Sequence, residues 1–193
     1  MRIIAGSCKG RRLVSPRWSG LRPTSDRLRE TLFNILRDDV SGARVLDGYA
    51  GTGAVGIEAL SRGADHVVFI EQDRRAVDLI QRNVSHCDLT GRCTIRQAHL
   101  PGALVGTPPR AFDLVWLDPP YDASNIGAIL TAAAAWVRAT GWVVLEHAWK
   151  TKPPGPATLQ PMRVVRAGRS VVQFYQPTPI AETISARAEI AGG

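Results

Sequence analysis

A doubly wound α/β sheet is the fold that this sequence predicts, on three observations. From residue 44 onward, short apolar runs alternate with segments of helical periodicity. The apolar runs are continuous, as in parallel strands whose two faces are both covered by helices. A glycine-rich turn follows the first run, where sheets of this class bind their ligands. We expect one domain with an appendage, because 193 residues suffice for one core but not for two.

The elements of this sheet follow in chain order. Strands are predicted for RVLDG, HVVFIE, CTIRQ, FDLVWLD and GWVVLEH, and helices for AVGIEALSR, DRRAVDLIQRNV and NIGAILTAAAAWVRA. Prolines interrupt KTKPPGPATLQP, and MRVVRAG and SVVQFYQ then predict a closing antiparallel hairpin.

The N-terminal region has a different pattern. RIIAG and RRLVSP predict a β-hairpin, and a helix then begins near Ser25, with Leu28, Leu32 and Ile35 facing a core. We therefore expect three parts: an extension over residues 1–40, the main domain over 41–176, and a loose tail over 177–193.

Composition excludes several classes of protein. The sequence has no apolar run near the roughly 20 residues of a membrane span and no signal-peptide pattern, so we expect a cytoplasmic protein with no membrane partner. Its three cysteines form no CxxC pair and predict no metal site. The net charge is +7, and the first 30 residues hold eight basic residues against two acidic ones. Such a patch suits phosphate contacts, although a solvated basic face explains the composition as well.

The segment VLDGYAGTGAVG predicts a binding loop for an adenosine-type cofactor. Asp47 ends a strand, and Gly51, Gly53 and Gly56 lie in the turn into the next helix. Glycines there allow close approach of a ligand to the backbone and to helix N-terminal amides. Glu71 ends the next strand, where a ribose-binding carboxylate is expected. A nicotinamide dehydrogenase competes, but Asp47 suits the cationic S-adenosylmethionine and would repel a pyrophosphate.

The segment DPPY, directly after the apolar run FDLVWL, predicts a site for an exocyclic amine. The Asp118 carboxylate and the Pro119 carbonyl can each accept a hydrogen bond from such an amine. Tyr121 can stack on the base that carries it. The alternative is that the two prolines end a strand and Asp118 caps the next turn. Its place after a buried strand, in one chain with the glycine loop, favours the catalytic interpretation.

At this point the sequence resembles a known family. MRIIAGSCKGRRL, RPTSDRLRETLFNIL, VLDGYAGTGAVGIEALSRGA, FIEQD and DPPY, spread over residues 1 to about 176, resemble the bacterial RsmD family, which methylates N2 of guanine 966 in 16S ribosomal RNA. The resemblance implies a class I S-adenosylmethionine-dependent methyltransferase with an RNA-contacting N-terminal extension. It also implies the small ribosomal subunit as partner, and we expect a monomer.

The resemblance further implies roles for individual residues. Asp47, Gly51, Gly53 and Glu71 match cofactor positions, and the DPPY residues match the amine-holding motif. Gly48 and Tyr49 depart from a larger apolar residue and Phe, with Tyr49 still expected at the cofactor. Ala98 replaces an acidic or amide residue beside the adenine, so backbone amides or His99 are expected there. RNA contacts are expected from basic residues of the extension: Lys9, Arg11, Arg12, Arg22, Arg27 and Arg29.

Four other functions compete with this interpretation. DPPY also fits DNA adenine-N6 enzymes, and a related motif serves protein glutamine methylation. A DNA enzyme would normally need a recognition domain that this chain is too short to hold, and a glutamine enzyme has little use for the basic extension. An RNA-binding module without activity explains the extension but leaves the loop and DPPY unexplained. An NAD-dependent oxidoreductase would require the loop to bind NAD.

Overall fold

The computed structural model describes residues 1–16, 18, 24–121 and 123–179. Within these ranges one sheet of seven strands forms the centre of the molecule. The strands are β1 (Arg44–Gly48), β2 (His66–Glu71), β3 (Cys93–Gln97), β4 (Phe112–Leu117), β5 (Val137–Ala148), β6 (Leu159–Ala167) and β7 (Ser170–Pro177). The α-helices are α1 (Asp26–Ile35), α2 (Ala54–Ser61), α3 (Arg74–His86) and α4 (Ile126–Trp136).

The strand order is β3-β2-β1-β4-β5-β7-β6. Neighbours from β3 to β5 run parallel, whereas β7 pairs antiparallel with both β5 and β6. The order reverses between β1 and β4, which is the switch point where such sheets bind ligands. The doubly wound fold and the closing hairpin are therefore confirmed.

Two apolar cores cover the faces of this sheet. One contains buried residues of α1, α2 and α3, and the other contains those of α4. Trp116 and Val144 belong to the first core, whereas their neighbours Leu117 and Leu145 belong to the second. This alternation follows from the two-residue period of a strand, and it explains why the central strands are apolar throughout.

Most predicted elements agree with the structure within a few residues, and two strands are longer. β5 begins at Val137, directly after α4, and not at Gly141. β6 begins at Leu159 and includes Pro161. A proline is tolerated there because β6 is an edge strand, where a backbone N–H can point away from the sheet.

The predicted N-terminal β-hairpin is present in a short form. Arg2 and Arg12 make an antiparallel bridge, and the amides of Ile3 and Leu13 donate to the carbonyls of Arg11 and Met1 at 2.9 and 3.2 Å, but the pairing does not extend into two full strands. The reason is a competing acceptor, because the amides of Ile4 and Ala5 donate to the Glu58 carboxylate at 2.8 and 3.0 Å. The N-terminal segment is thereby fastened to α2.

Helix α1 begins as predicted. Ser25 is its N-cap, and its Oγ accepts the Leu28 amide at 3.2 Å. Leu28 and Leu32 are buried, and Ile35 packs against the same core. Arg27 is exposed, as expected for a residue that contacts a partner. Arg22 lies outside the described residues, as does the tail beyond residue 179.

The prediction that Arg29 contacts RNA is wrong. Its side chain is fully buried and pairs with Glu58 at 3.3 Å and Asp26 at 2.7 Å. It also donates to the Arg2 carbonyl at 2.8 Å. Helical spacing explains why the prediction failed. Arg29 lies next to Leu28 and three residues before Leu32, on the turn of α1 that faces α2. Its charge neutralises a buried carboxylate and is not available to phosphates.

Glu58 joins three parts of the chain at this point. It lies on α2, is fully buried, and also pairs with Arg62 at 2.8 Å.

The proposed boundary at residue 40 stays a prediction. Ile3 and Leu13 of the extension share one core with Val45 of the sheet. Within the described ranges, no helix is long and apolar enough to cross a membrane.

Arg29→Ala should lower the free energy of unfolding by about 3 kcal/mol, because it leaves part of the Glu58 charge buried and unpaired. Arg27→Ala, two residues earlier on the exposed face of α1, is the matched control and should leave stability nearly unchanged. Urea unfolding followed by circular dichroism measures both. Equal stability of the two variants would contradict the buried ion pair.

Candidate active site

An open cleft of about 1300 Å³ lies at the carboxyl edge of the sheet, beside the switch point between β1 and β4. It is lined by the glycine loop, the ends of β2, β4 and β5, helix α1, and the turn between β6 and β7. The predicted residues that line it are Arg27, Tyr49, Gly51, Glu71, Asp118, Pro119 and Tyr121.

The glycine loop leaves β1 through an unusual backbone conformation. Tyr49 has φ of 64° although it is not a glycine, and Gly51 follows with φ of 56°. A left-handed non-glycine residue costs on the order of 1 kcal/mol and persists where the surroundings enforce it. Here the Ala50 amide donates to the Ile70 carbonyl at 3.0 Å, which holds the loop against β2.

Glu71 anchors the same loop from the end of β2. Its Oε2 accepts the Gly51 amide at 2.8 Å, and its Oε1 accepts the amides of Gln72 and Asp73 at 2.8 and 2.9 Å. A carboxylate has about four acceptor positions, so Oε2 keeps capacity for one further donor facing the cleft. A ribose hydroxyl is such a donor.

Gly53 and Gly56 serve the loop without lining the cleft. Gly53 is the N-cap of α2 with φ of 76°. A Cβ at Gly56 would lie 2.3 Å from the Phe69 ring, so glycine is required for α2 to pack on β2. The Gly56 amide also donates to Asp47 Oδ2 at 2.8 Å.

Asp47 is buried beneath the loop, beside a small cavity of about 20 Å³. Burial raises its pKa to about 8, the Gly56 hydrogen bond opposes this, and the Glu71 charge adds to it. The cavity shares part of its lining with the cleft, including Gly51 and Asp118. A cationic group in this position would relieve the cost of burying the Asp47 charge.

Asp118 lies directly after β4, and Glu146 lies at the corresponding level of β5. Leu117 pairs with Leu145, so the two acidic residues follow at neighbouring positions of parallel strands. Burial raises the pKa of Asp118 well above its ordinary value, and the charges of Glu146 and Asp47 raise it further. Burial likewise raises the pKa of Glu146, against a hydrogen bond from Ser170. The cleft floor is therefore a cluster of carboxyl groups that favours cationic or donor ligands.

Tyr121 is the half-exposed end of the DPPY segment, with 44% of its surface accessible. Its hydroxyl shares a hydrogen bond of 2.7 Å with Ser170 Oγ at the start of β7. The hydroxyl is thereby fixed at the wall of the cleft.

Ala98 and His99 are outside the cleft lining, so the structure does not bring them to the site. The Ala98 amide continues the sheet by donating to the Glu71 carbonyl at 3.0 Å. Trp18 and Arg75, in contrast, do line the cleft. The Arg75 guanidinium lies 5.1 Å from the centre of the Trp18 ring. Adenine contacts by Ala98 and His99 stay a prediction.

Gly48 is explained by its surroundings. A Cβ at this position would lie 2.7 Å from Leu100 Cδ1 and 3.0 Å from Leu117 Cδ2. Leu100 thus fills the space that a larger residue at position 48 would occupy.

The remaining basic residues of the extension lie at the surface, but not all of them line the cleft. Lys9, Arg12 and Arg27 are exposed, and Arg11 pairs with Asp88 at 2.9 Å while 40% of its side chain stays accessible. Arg27 lines the cleft, whereas Lys9, Arg11 and Arg12 are outside its described lining. The β6–β7 turn contributes the exposed Arg166 and Arg169 to the cleft wall. The cleft lining therefore includes cations from α1 and from the closing hairpin.

Sequence reasoning missed several lining residues. A signal existed for Glu146, which is an acidic residue inside the apolar run WVVLEH. The spacing RVVRAGR likewise marks a basic turn in the closing hairpin. No local signal indicates Trp18 or Ser170, because they reach the cleft only through the tertiary fold.

In the part of the chain that the structure describes, no group of three or more His, Cys, Asp or Glu side chains could hold a metal ion.

Comparison with known proteins agrees with this site. A family model described as Conserved hypothetical protein 95 matches residues 1–176. Ribosomal RNA small subunit methyltransferase D of Escherichia coli is 41% identical over 181 residues, 91% of this chain and 89% of that protein. YlbH of Bacillus subtilis, named as an rRNA methyltransferase, is 36% identical over 151 residues, 76% of this chain and 82% of that protein.

A solved structure supports the fold as well. The protein yhhF from Escherichia coli, which carries the name of a methyltransferase, superimposes with a TM-score of 0.78 at 31% identity, covering 92% of this chain and 97% of that one. The class I methyltransferase fold is thus confirmed. The chain belongs to the Conserved hypothetical protein 95 family, the family of the ribosomal RNA small subunit methyltransferases D, and is an enzyme of the methyltransferase class.

Proposed function

We propose that this enzyme transfers a methyl group from S-adenosylmethionine to the exocyclic N2 amine of a guanine in 16S RNA of the small ribosomal subunit. The observation that carries the proposal is the position of Asp118 and Tyr121 beside the glycine loop, in one cleft with basic walls. The names of the two sequence relatives agree with ribosomal RNA as the substrate class.

The acidic residues of the cleft fit S-adenosylmethionine. Asp47 and Asp118 are buried, and burial raises both pKa values, so a cationic sulfonium or ammonium nearby would favour their ionised forms. Glu71 retains an acceptor for a ribose hydroxyl. When bound, the cofactor supplies an electrophilic methyl group. A pyrophosphate brings no cation that would favour the ionised forms of these carboxyl groups, which argues against NAD.

Asp118 and Pro119 supply the chemistry toward the amine. The lone pair of an exocyclic amine is delocalised into the base, so the site must hold the two N2 hydrogens and direct the lone pair. An Asp118 oxygen and the Pro119 carbonyl accept these hydrogens. N2 loses one proton on methylation, and the Asp118 carboxylate takes it. Stacking of the base on Tyr121 contributes about 1–3 kcal/mol. Positioning of the amine supplies most of the rate enhancement.

The cations around the cleft favour a nucleic acid over a protein substrate. Arg27 of α1 and Arg166 and Arg169 of the β6–β7 turn line the cleft, so phosphates can be held beside a base that enters it. A glutamine side chain would need no such flanks.

The first test uses small subunits purified from cells that lack this gene. Incubation with the enzyme and labelled S-adenosylmethionine should place one N2-methylguanosine in 16S RNA, located by digestion and mass spectrometry. Asp118→Ala should slow transfer by about 100-fold or more, because the amine is no longer held. Its affinity for S-adenosylmethionine, measured by calorimetry, should fall much less than the transfer rate, because Asp47 and Glu71 are still present to bind the cofactor. Methyladenosine, methylglutamine, or binding of NAD alone would overturn the proposal.

Asp47 should make cofactor binding depend on pH. In the free enzyme its pKa of about 8 keeps it protonated at lower pH, whereas a bound ammonium favours the ionised form. Binding should therefore release a proton, and affinity should rise toward pH 8 by at most about tenfold per pH unit and then level off. Calorimetry in buffers of different ionisation enthalpy measures the released proton.

Asp47→Asn is the control for this titration. The amino group of the cofactor titrates identically against both proteins, so the ratio of the two affinities isolates Asp47. A ratio that is constant from pH 6 to 9 would show that Asp47 stays ionised or stays away from the cofactor.

The basic flanks should determine the salt dependence of subunit binding. Replacing Arg12 and Arg27 together by Gln, or Arg166 and Arg169 together, should reduce the slope of log affinity against log salt by about 0.7 for each lost phosphate contact. Arg138→Gln is the control, since Arg138 is half-exposed at the opposite edge of the sheet. Filter binding at several salt concentrations gives the slopes. Slopes equal to that of the control would show that these arginines do not contact the RNA phosphates.

A further inference from the structure

Glu146 is a buried carboxylate that the proposed chemistry has not used. It follows the fully buried Val144 and Leu145 on β5, and only 7% of its surface is accessible. Its Oε2 has no hydrogen-bond partner within the described residues. Burying an unpaired carboxyl oxygen is costly, so a residue of this kind in a cleft wall indicates a ligand that supplies the missing donor.

The surroundings of Glu146 place that ligand at the DPPY segment. Through the β4–β5 register it stands beside Asp118, with which it interacts electrostatically. Through Ser170 it is connected to the other end of the segment, because Ser170 bonds to both Glu146 and the Tyr121 hydroxyl. A base stacked on Tyr121 with its amine on Asp118 therefore has its neighbouring edge within reach of Glu146.

The chemistry of that edge distinguishes the bases. In guanine, one of the two ring nitrogens that flank the N2 amine is N1, which carries a hydrogen and is a donor. In adenine and cytosine, the ring nitrogen next to the exocyclic amine is an acceptor. An ionised carboxylate binds the first arrangement and repels the second. The sulfonium of the bound cofactor favours ionisation of the cluster.

We infer that Glu146 accepts the N1 hydrogen of the target guanine and is the residue that selects guanine over other bases bearing an amine. The inference rests on the function proposed above. It assigns the two carboxyl groups separate tasks, with Asp118 on the reacting amine and Glu146 on the adjacent ring nitrogen.

The experiment replaces one nucleotide of the substrate. The methylated guanosine, once mapped, is exchanged for 2-aminopurine riboside by splinted ligation of 16S RNA, followed by reconstitution of the subunit. This base keeps the exocyclic amine, but its ring nitrogen N1 is an acceptor. The wild-type enzyme should methylate it about 100-fold more slowly than guanosine. Glu146→Gln should be slower on guanosine but should lose most of this preference, because its amide can donate to an acceptor nitrogen.

Ser170→Ala separates selection from positioning. It removes a hydrogen bond to Glu146 but keeps the carboxylate, so both substrates should slow by a similar factor and the preference should persist. Glu146→Gln is isosteric and removes a buried charge, so its thermal unfolding midpoint should not fall. That measurement shows that the variant is folded.

The outcomes separate the two hypotheses. If the wild-type enzyme does not methylate the guanosine subunit, the proposed function fails and this inference with it. If it methylates guanosine but accepts 2-aminopurine equally, or if Glu146→Gln keeps the full preference, only the role of Glu146 is overturned.

Discussion

The buried carboxylate of Glu58 is the interaction on which the arrangement of the cleft depends. It lies on α2, which packs on the sheet, and it accepts two amides of the N-terminal segment and pairs with Arg29 of α1. Ser61 on the same helix adds a second anchor for the N-terminal segment, because its Oγ accepts the Cys8 amide at 2.9 Å. Since α1 supplies one wall of the cleft, a charge far from the reacting groups determines the shape of the site.

The glycine loop, in contrast, is held by hydrogen bonds from within the sheet. Glu71 and Asp47 each accept one of its amides, and they lie at the ends of β2 and β1. Both carboxylates also face positions where a cofactor is expected. The same residues therefore fold the loop and prepare it to bind. Such sites are costly in the free protein, because buried carboxyl groups in one region raise one another's pKa values.

The sequence predicted those features that depend on local pattern. The strands of the parallel core, the glycine-rich turn and the place of DPPY after a strand follow from apolar runs and turn residues, and the structure agrees. The ion pairs of Arg29 could not be predicted from the sequence. The pattern around a helical arginine is the same whether its side chain faces a carboxylate or water. The N-terminal hairpin is shorter than predicted for a similar reason, since the amides of Ile4 and Ala5 bond to Glu58, which is more than 50 residues away in sequence. The adenine contacts assigned to Ala98 and His99 stay untested.

In the function proposed above, recognition is divided between charge on the walls and carboxyl groups on the floor. Arginines of the walls would contact phosphates, which every RNA sequence presents, so they would give affinity and orientation without choosing a base. The choice must be made where a base edge meets groups that cannot adapt. Asp118 and Glu146 meet this condition, because adjacent strands fix them at one level and Ser170 connects Glu146 to Tyr121. A rigid pair of acceptors rejects a base with an acceptor nitrogen more strongly than it favours guanine. With the wrong base, a lone pair of the ring nitrogen would face a lone pair of the carboxylate with no proton between them. On this proposal, the edge of the sheet provides a selectivity that a flexible, positively charged surface cannot provide.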